Sequence, residues 1–545
     1  MRINDCAKWL WRASRGFRLS VVGCITTGTM HVGVSLFFVY VCKRLIDIAT
    51  GTSDGDLRAY VGWLVFSLTA QLLLSVARSR MASRTEIRFR NNLHRRLFVH
   101  LMESRWEGRQ SLHTGDVLNR LESDVTTVTE AMSRTVPAVV ITAVQLVGAL
   151  FFLSRLDLRL ACVLVFIMPV ALLFSKRYVQ RMRHMSREIR ELDSRIQSHM
   201  QENLQHRILI RTLEYTVQAV GRLTGLQSAL YEKIMHRTDF AIFSRTMVQF
   251  GFMTGYVVAL LWGVFGLRDG SVSFGMMTAF LQLVAQIQRP MVDLSRQVPA
   301  FIRVATSTER LAGLEAQSLE MQGAPLRLEG PVGIRIERLS YSYPDGNRKV
   351  LDDFSYDFKP GSLTAIVGET GVGKSTLVKL ILALSEPEEG SICFYNATTE
   401  FEASPLTRCN LSYVPQGNTL MSGTIRDNLL MGNPHADEDE MDAALYAAAA
   451  DFVFALPDGL DTYCGEQGAG ISEGQAQRIA IARGLLRPGG VLLLDEPSSS
   501  LDGETEQILL QRLSERLQDK TLLLITHRET IAQLCTSVVR MESKI

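Results

Sequence analysis

Residues Gly368 to Thr376 read GETGVGKST, and that spacing of glycines, a lysine and hydroxyls suits one task, holding a polyphosphate. An apolar run, Leu363 to Val367, precedes the segment and a second, Leu377 to Leu384, follows it. The loop is therefore expected to join a buried strand to the N-terminus of a helix. Gly368, Gly371 and Gly373 let the backbone curl so that successive N–H groups point inward. Lys374 is placed to reach the β- and γ-phosphates, and the Ser375 hydroxyl to ligate Mg²⁺, with Thr376 completing the motif.

About 120 residues downstream stands VLLLDEPSSSLD. Val491 to Leu494 is wholly apolar, as a strand buried on both faces of a parallel sheet must be. Two acids follow at its C-terminal end, where ligands gather in open α/β sheets. Asp495 is placed to hold the Mg²⁺ shell, partly through water, and Glu496 to orient and polarise the water that attacks a γ-phosphate. Phosphoryl transfer is mostly positioning and charge neutralisation, so a cation clamp and one water-positioning acid come close to the whole requirement.

Between these segments lies ISEGQAQRIAIARGLL, residues 471–486. Ile471, Ser472, Glu473, Gly474 and Gln475 resemble the LSGGQ signature of ATP-binding cassette (ABC) proteins, with Ile for the first Leu and Glu for the first Gly. Small residues opening a helix make a second phosphate-binding N-terminus. The order of motifs is that of an ABC cassette: Walker A loop, signature, acidic strand end, then Ile525 to His527. The resemblance implies ATP as the nucleotide and assigns further roles. Tyr343 matches the aromatic that stacks on adenine. Gln416, in SYVPQ, matches the glutamine that approaches Mg²⁺ and links the nucleotide to the membrane domain. Ser499, Ser500, Leu501 and Asp502 resemble the D-loop, which contacts the opposite subunit, and His527 matches the switch histidine of the γ-phosphate. It also implies a head-to-tail dimer, in which ATP on Lys374 of one subunit is closed over by Ser472 and Gly474 of the other. The partner is a second copy or a different half-transporter.

The first 320 residues differ in composition. The chain is nearly neutral, with 58 basic and 56 acidic residues, yet its charges are clumped. Uncharged apolar spans run at Leu19–Val41, Ala59–Ala77, Val136–Leu153, Leu160–Ser175, Thr246–Leu267 and Val272–Gln288. Several fall slightly short of the roughly 20 residues that cross a bilayer core, and flanking residues extend them. Six transmembrane helices are expected. Basic residues cluster before the first span, between the second and third and between the fourth and fifth, including Arg84, Arg88, Arg187 and Arg190. That pattern places the N-terminus and the ATPase on the cytoplasmic side, and a multi-pass protein of a bacterial inner (plasma) membrane is expected. Simple orientation and contact with anionic lipid explain the arginines without a substrate role.

Gln145, Gln249, Gln282 and Gln286 interrupt the spans; a cavity lining and helix–helix hydrogen bonding explain them equally well. No acid or base of fixed charge lies mid-span. Pro169 and Pro290 are expected to kink their helices. Turns coupling the membrane helices to the ATPase are expected around Ser111 to Val117 and near Leu213 to Ala219. The eight cysteines form no CxxC pair, and Cys393, Cys409, Cys464 and Cys535 are expected as free thiols in a reducing cytoplasm.

The expected architecture is an all-α six-helix transmembrane domain, residues 1–320, followed by an α/β P-loop NTPase of the ABC type, residues 331–545. The expected activity is ATP-driven export, by alternating access, of a small hydrophobic or amphiphilic substrate (a lipid, drug or peptide) across a lipid bilayer, with no nucleic acid involved. Two alternatives stand: import of a metal chelate on the same architecture, and a non-transport ABC ATPase.

Overall fold

A computed structural model describes residues 3–105, 114–163, 175–343, 349–369, 371–465, 470–497, 500–515, 520–528, 532 and 535–542. The chain divides into two compact units: Met1–Phe98 with Gly115–Glu315, and Val99–Thr114 with Ala316–Ile545.

The first unit is built of long helices: α1 (Ile3–Ala13), α2 (Arg18–Ala49), α3 (Leu57–Met102), α4 (Gly115–Leu156), α5 (Ser175–Gln205), the short α6 (Arg207–Thr212), α7 (Thr216–Arg268) and α8 (Phe274–Glu315). Among the described residues three helices, α3, α4 and α7, are long and apolar enough to cross a membrane. The second, third and fifth expected spans lie on these. The first lies on α2 and the sixth on α8, while the fourth falls largely outside the described residues, as does Pro169. Val39, Ala149, Leu153, Ala259, Phe280, Leu283, Val284 and Ile287 form a buried core among α2, α4, α7 and α8. Pro290 and Pro299 sit inside α8, and two π-helical turns, Arg120–Asp124 and Ala131–Thr135, interrupt α4.

Polar side chains join these helices to one another. Gln286 Nε2 donates to Ser35 Oγ at 3.2 Å and Gln288 Nε2 to the Phe252 carbonyl at 3.1 Å. Buried Asp47 accepts from the Gly275 N–H at 3.0 Å, and buried Asp124 from Ser307 Oγ at 2.7 Å. For Gln286 the structure thus shows helix–helix bonding. His31 lies in the middle of the first expected span, a titratable side chain that the reading for fixed charges passed over. A break in the helices falls within the range expected for the second coupling turn: α6 ends at Thr212 and α7 begins at Thr216. Residues 111–113 of the first lie outside the described residues.

The second unit carries two main sheets. An antiparallel sheet has the order β2-β1-β4-β5, from β1 (Gly333–Ser342), β2 (Lys349–Phe358), β4 (Glu389–Tyr395) and β5 (Glu400–Glu402). A parallel sheet has the order β11-β3-β10-β9-β6, from β3 (Leu363–Gly368), β6 (Leu411–Val414), β9 (Val491–Asp495), β10 (Thr521–Thr526) and β11 (Ser537–Met541). Between β6 and β9, β7 (Gly423–Thr424) pairs with β8 (Tyr463–Cys464). Helices α9 (Lys374–Ile381), α10 (Ile425–Leu430), α11 (Glu438–Ala447), α12 (Glu473–Leu486) and α13 (Gly503–Glu515) complete the unit.

Every residue of β10 is buried, as are the first four of β9, which is why both read as uninterrupted apolar runs. The segment before β1 is held to this unit: the Leu326 N–H donates to the Leu406 carbonyl at 2.9 Å, and the Leu328 N–H to Asn410 Oδ1 at 2.7 Å. Register places the chemistry. Ile525 of β10 lies opposite Ile366 of β3 on one side and Asp495 of β9 on the other. The loops after β3, β9 and β10 therefore leave the sheet along one edge, the ligand edge of an open α/β sheet.

Candidate nucleotide site

The loop after β3 is wound as its glycines predict. Gly371 and Gly373 have φ of +88° and +109°, a region costly for any residue with a Cβ. A Cβ on Gly373 would also stand 3.1 Å from the Val350 carbonyl. Gly373 is the N-cap of α9, so the first N–H groups of that helix open onto the loop. Lys374 is 9% exposed; its amine donates to the Gly368 carbonyl and, at 3.1 Å, to that of Glu369. Ser375 is exposed at the mouth, whereas Thr376 is buried. The Thr376 hydroxyl lies 3.2 Å from the Tyr343 hydroxyl, and Lys379 Nζ donates to the same phenol at 3.4 Å. Tyr343, just past β1, is thereby tied to the loop's helix, with its ring edge-on to Tyr341.

Three sequence-predicted residues converge at the end of β9. Gln416 Nε2 donates to Glu496 Oε2 at 2.8 Å, and His527 Nδ1 lies 3.3 Å from Glu496 Oε1. These groups come from the loops after β6, β9 and β10, so sheet register rather than sequence proximity brings them together. Glu496 has φ +48°, the left-handed region, which L residues enter only when the surroundings over-determine them. Its N–H donates to the Ile525 carbonyl at 3.0 Å.

Asp495 lies behind it. Burial, then the adjacent Glu496, pushes its carboxyl above the usual range, while the Tyr413 hydroxyl and Lys374 oppose that rise. The Tyr413 hydroxyl donates to Asp495 Oδ2 at 3.4 Å, and burial followed by this carboxylate drives the phenol upward. A partly buried carboxylate beside a second acid, on the sheet edge that also bears the exposed Ser375 hydroxyl of the glycine loop, offers oxygen donors of the kind that suit a hard divalent cation. The residues present therefore fit Mg²⁺.

The helix after the signature is capped by its own motif. The Gln475 N–H donates to Ser472 Oγ at 3.3 Å, and the Ser472 N–H to Gln475 Oε1 at 3.0 Å, a reciprocal capping box. Gly474 is needed for close approach: a Cβ there would stand 2.6 Å from the Ser500 carbonyl. Asp502 caps α13, accepting from the Thr505 N–H and hydroxyl at 2.9 Å each, bonds that hold its carboxyl below the usual range. Ser499 lies outside the described residues.

Sequence reasoning passed over several residues here. Tyr413 is one. Arg483 is another, donating to the Thr419 carbonyl at 3.1 Å and hydroxyl at 2.9 Å. The third is Gln477, wholly buried, whose Nε2 donates to the Glu496 carbonyl at 2.8 Å and whose Oε1 accepts from Ser500 Oγ at 2.7 Å. A signal for Gln477 existed. Gly474, Gln477, Ile481 and Gly484 recur at three and four along α12 and all are buried, so an amide on that stripe needs partners.

Comparison with known proteins agrees with this anatomy. Residues 21–291 match the family model of the ABC transporter transmembrane region, and residues 351–499 match that of the ABC transporter. A serine protease/ABC transporter B family protein of Dictyostelium discoideum is 28% identical over 86% of this chain, which spans 27% of that protein's length. An ATP-dependent lipid A-core flippase of Bordetella avium is 28% identical, over 79% of this chain and 73% of its own. A solved bacterial Atm1-family ABC exporter with ATP bound shares the fold, at a TM-score of 0.79 and 22% identity over 97% of this chain and 94% of its own. The chain belongs to the ABC transporter family, with a helical transmembrane region and an ATPase cassette joined in one polypeptide as in its exporters.

Proposed function

We infer that this chain is one half of an ATP-driven exporter of a hydrophobic or amphiphilic substrate, working as a dimer with a second copy or a different half-transporter. The observation that carries the reading is the convergence of Gln416 and His527 on the two carboxylate oxygens of Glu496, at the sheet edge that also bears the glycine loop.

In the proposed cycle Tyr343 stacks on adenine. The N–H groups of the loop from Gly368 through Gly373, with Lys374 and Thr376, hold the β- and γ-phosphates. Ser375, Asp495 and, through water, Gln416 would hold Mg²⁺, which when bound neutralises phosphate charge. Glu496 accepts a proton from the attacking water. A bond forms from that water oxygen to the γ-phosphorus, the bond from the γ-phosphorus to the β–γ bridging oxygen breaks, and ADP and inorganic phosphate result. His527 donates a hydrogen bond to the γ-phosphate. Ser472, Gly474, Gln475 and Asp502 meet the partner's ATP face, so two ATP molecules hold the cassettes together and hydrolysis lets them part. The N-terminus and both cassettes stand in the cytoplasm of a bacterial inner membrane.

The amphiphilic substrate class is supported by the relative described as a lipid A-core flippase, and by polar groups such as Gln286 set among apolar helices. The test is ATPase activity of the full-length protein reconstituted in lipid, against a panel of lipids, peptides and hydrophobic cations, with ATP-dependent uptake into vesicles whose cassettes face outward. Stimulation by amphiphiles with uptake is expected, and Glu496→Gln should abolish both while still binding ATP and trapping a closed dimer. Uptake only into vesicles of opposite orientation would make the protein an importer. A purified chain indifferent to Mg·ATP would end the reading.

A further inference from the structure

We propose that Gln477 is a positioning residue that holds the Glu496 main chain in its reactive conformation and carries the state of one nucleotide site to the other. The Glu496 peptide is pinned on both sides: its N–H by the Ile525 carbonyl at 3.0 Å, and its C=O by Gln477 Nε2 at 2.8 Å. Between those bonds the backbone sits at φ +48°. A glutamate free of either bond would relax toward negative φ and swing its carboxylate off the place where Gln416 and His527 meet it. The cost of left-handed backbone is met only by surroundings that over-determine it, and Gln477 supplies half of that determination.

The amide has a second engagement. Gln477 Oε1 accepts from Ser500 Oγ at 2.7 Å, and one turn earlier Gly474 packs so closely on the Ser500 carbonyl that a Cβ would overlap it. The start of α12, the segment at Ser500 and the Glu496 peptide therefore move as one piece, with a buried amide as the joint. Both polar ends of that amide are paired, and cutting either leaves an unsatisfied group in a dry site.

The consequence for two sites rests on the head-to-tail dimer of the proposed function. There the N-terminus of α12 faces the ATP held by the partner, while Glu496 of the same chain acts on the chain's own ATP. Any shift of α12 on binding the partner's phosphates reaches Glu496 through Gln477, without passing through the nucleotide between them.

The test uses the full-length dimer in lipid nanodiscs and steady-state Mg·ATP hydrolysis over a wide ATP range. Wild-type protein with a Hill coefficient above one supports the two-site reading; a value of one in the wild type removes that reading and leaves the Gln477–Glu496 bond to be judged on rates alone. Gln477→Leu should lower kcat about 10–100-fold while the KM for ATP moves less than about threefold, since a hydrogen bond to a strained peptide is lost and the glycine loop is untouched. Gln477→Glu, which keeps the acceptor for Ser500 and loses the donor to Glu496, should match it. Ser500→Ala, which leaves the Gln477–Glu496 bond in place and cuts the amide's other engagement, should bring the Hill coefficient toward one. A Gln477→Leu enzyme with wild-type kcat overturns the positioning role, and so does a loss confined to KM. If that variant does not assemble, Ser500→Ala decides the coupling: an unchanged Hill coefficient overturns it.

Discussion

The backbone of Glu496 allows a test in which the sign of an effect is diagnostic. At φ +48° an L side chain costs about 1–2 kcal/mol relative to ordinary backbone. Glu496→Ala removes the carboxylate and its bonds to Gln416 and His527 but keeps a Cβ at that φ. Glu496→Gly removes the same groups and the strain together. Glycine adds freedom to the unfolded chain, which costs about 0.4–1 kcal/mol. The remaining difference favours the glycine variant over the alanine variant by about 1 kcal/mol. For a cooperative unit of about 200 residues that corresponds to about 2–4 °C in melting temperature. At a residue with ordinary negative φ the order is the reverse, with glycine about 0.5–1 kcal/mol worse than alanine.

The assay is thermal unfolding of the two full-length variants in nanodiscs without nucleotide, followed by the tryptophan-independent loss of cassette secondary structure. Glu496→Gly should melt above Glu496→Ala, and both should hydrolyse ATP about 10²–10⁴-fold more slowly than wild type, the range of a lost general base. An alanine variant that melts at or above the glycine variant would refute the claim that this backbone is strained. Hydrolysis retained within tenfold in either variant would remove Glu496 from its assigned chemistry.

Three further outcomes are expected. Lys374→Ala should weaken ATP binding about 10–150-fold in equilibrium titration, because a charge-assisted bond to phosphate is lost; unchanged affinity would count against the glycine loop as the nucleotide cradle. Burial and Glu496 hold the Asp495 carboxyl above its usual range, so its stabilising contribution is complete below the unfolded value of about 3.9 and is lost as pH rises through the higher folded one. Asp495→Asn should therefore raise the metal-free melting temperature at pH 7 and abolish the added protection that Mg²⁺ gives in the presence of ATP; a lower metal-free melting temperature contradicts this. Gly474→Ala places a methyl 2.6 Å from the Ser500 carbonyl and should destabilise the cassette by about 1–3 kcal/mol, the usual cost of overpacking, an effect absent if the helix start and Ser500 are not in contact.

What the sequence makes legible, and what it hides, divides along physical lines. The glycine loop is readable because its conformation is local: Gly371 and Gly373 take positive φ, and few other residues do so cheaply. Strands β9 and β10 are readable because burial on both faces leaves no alternation to confuse the pattern. The membrane unit is less so. Among the described residues, the spans on α3, α4 and α7 lie on helices long and apolar enough to cross a membrane, while α2 and α8 carry polar groups that bond them to each other. Ser35 and Gln286, or Asp47 and Gly275, each look like interruptions until the partner is known. The same holds in the cassette. Glu496, Gln416 and His527 are each visible as motif positions, but that one carboxylate receives both others depends on a strand register no local pattern encodes. Gln477 was marked only by its place on the buried stripe of α12; the groups it pairs stayed hidden, since one of them is a peptide carbonyl, which has no letter in the sequence.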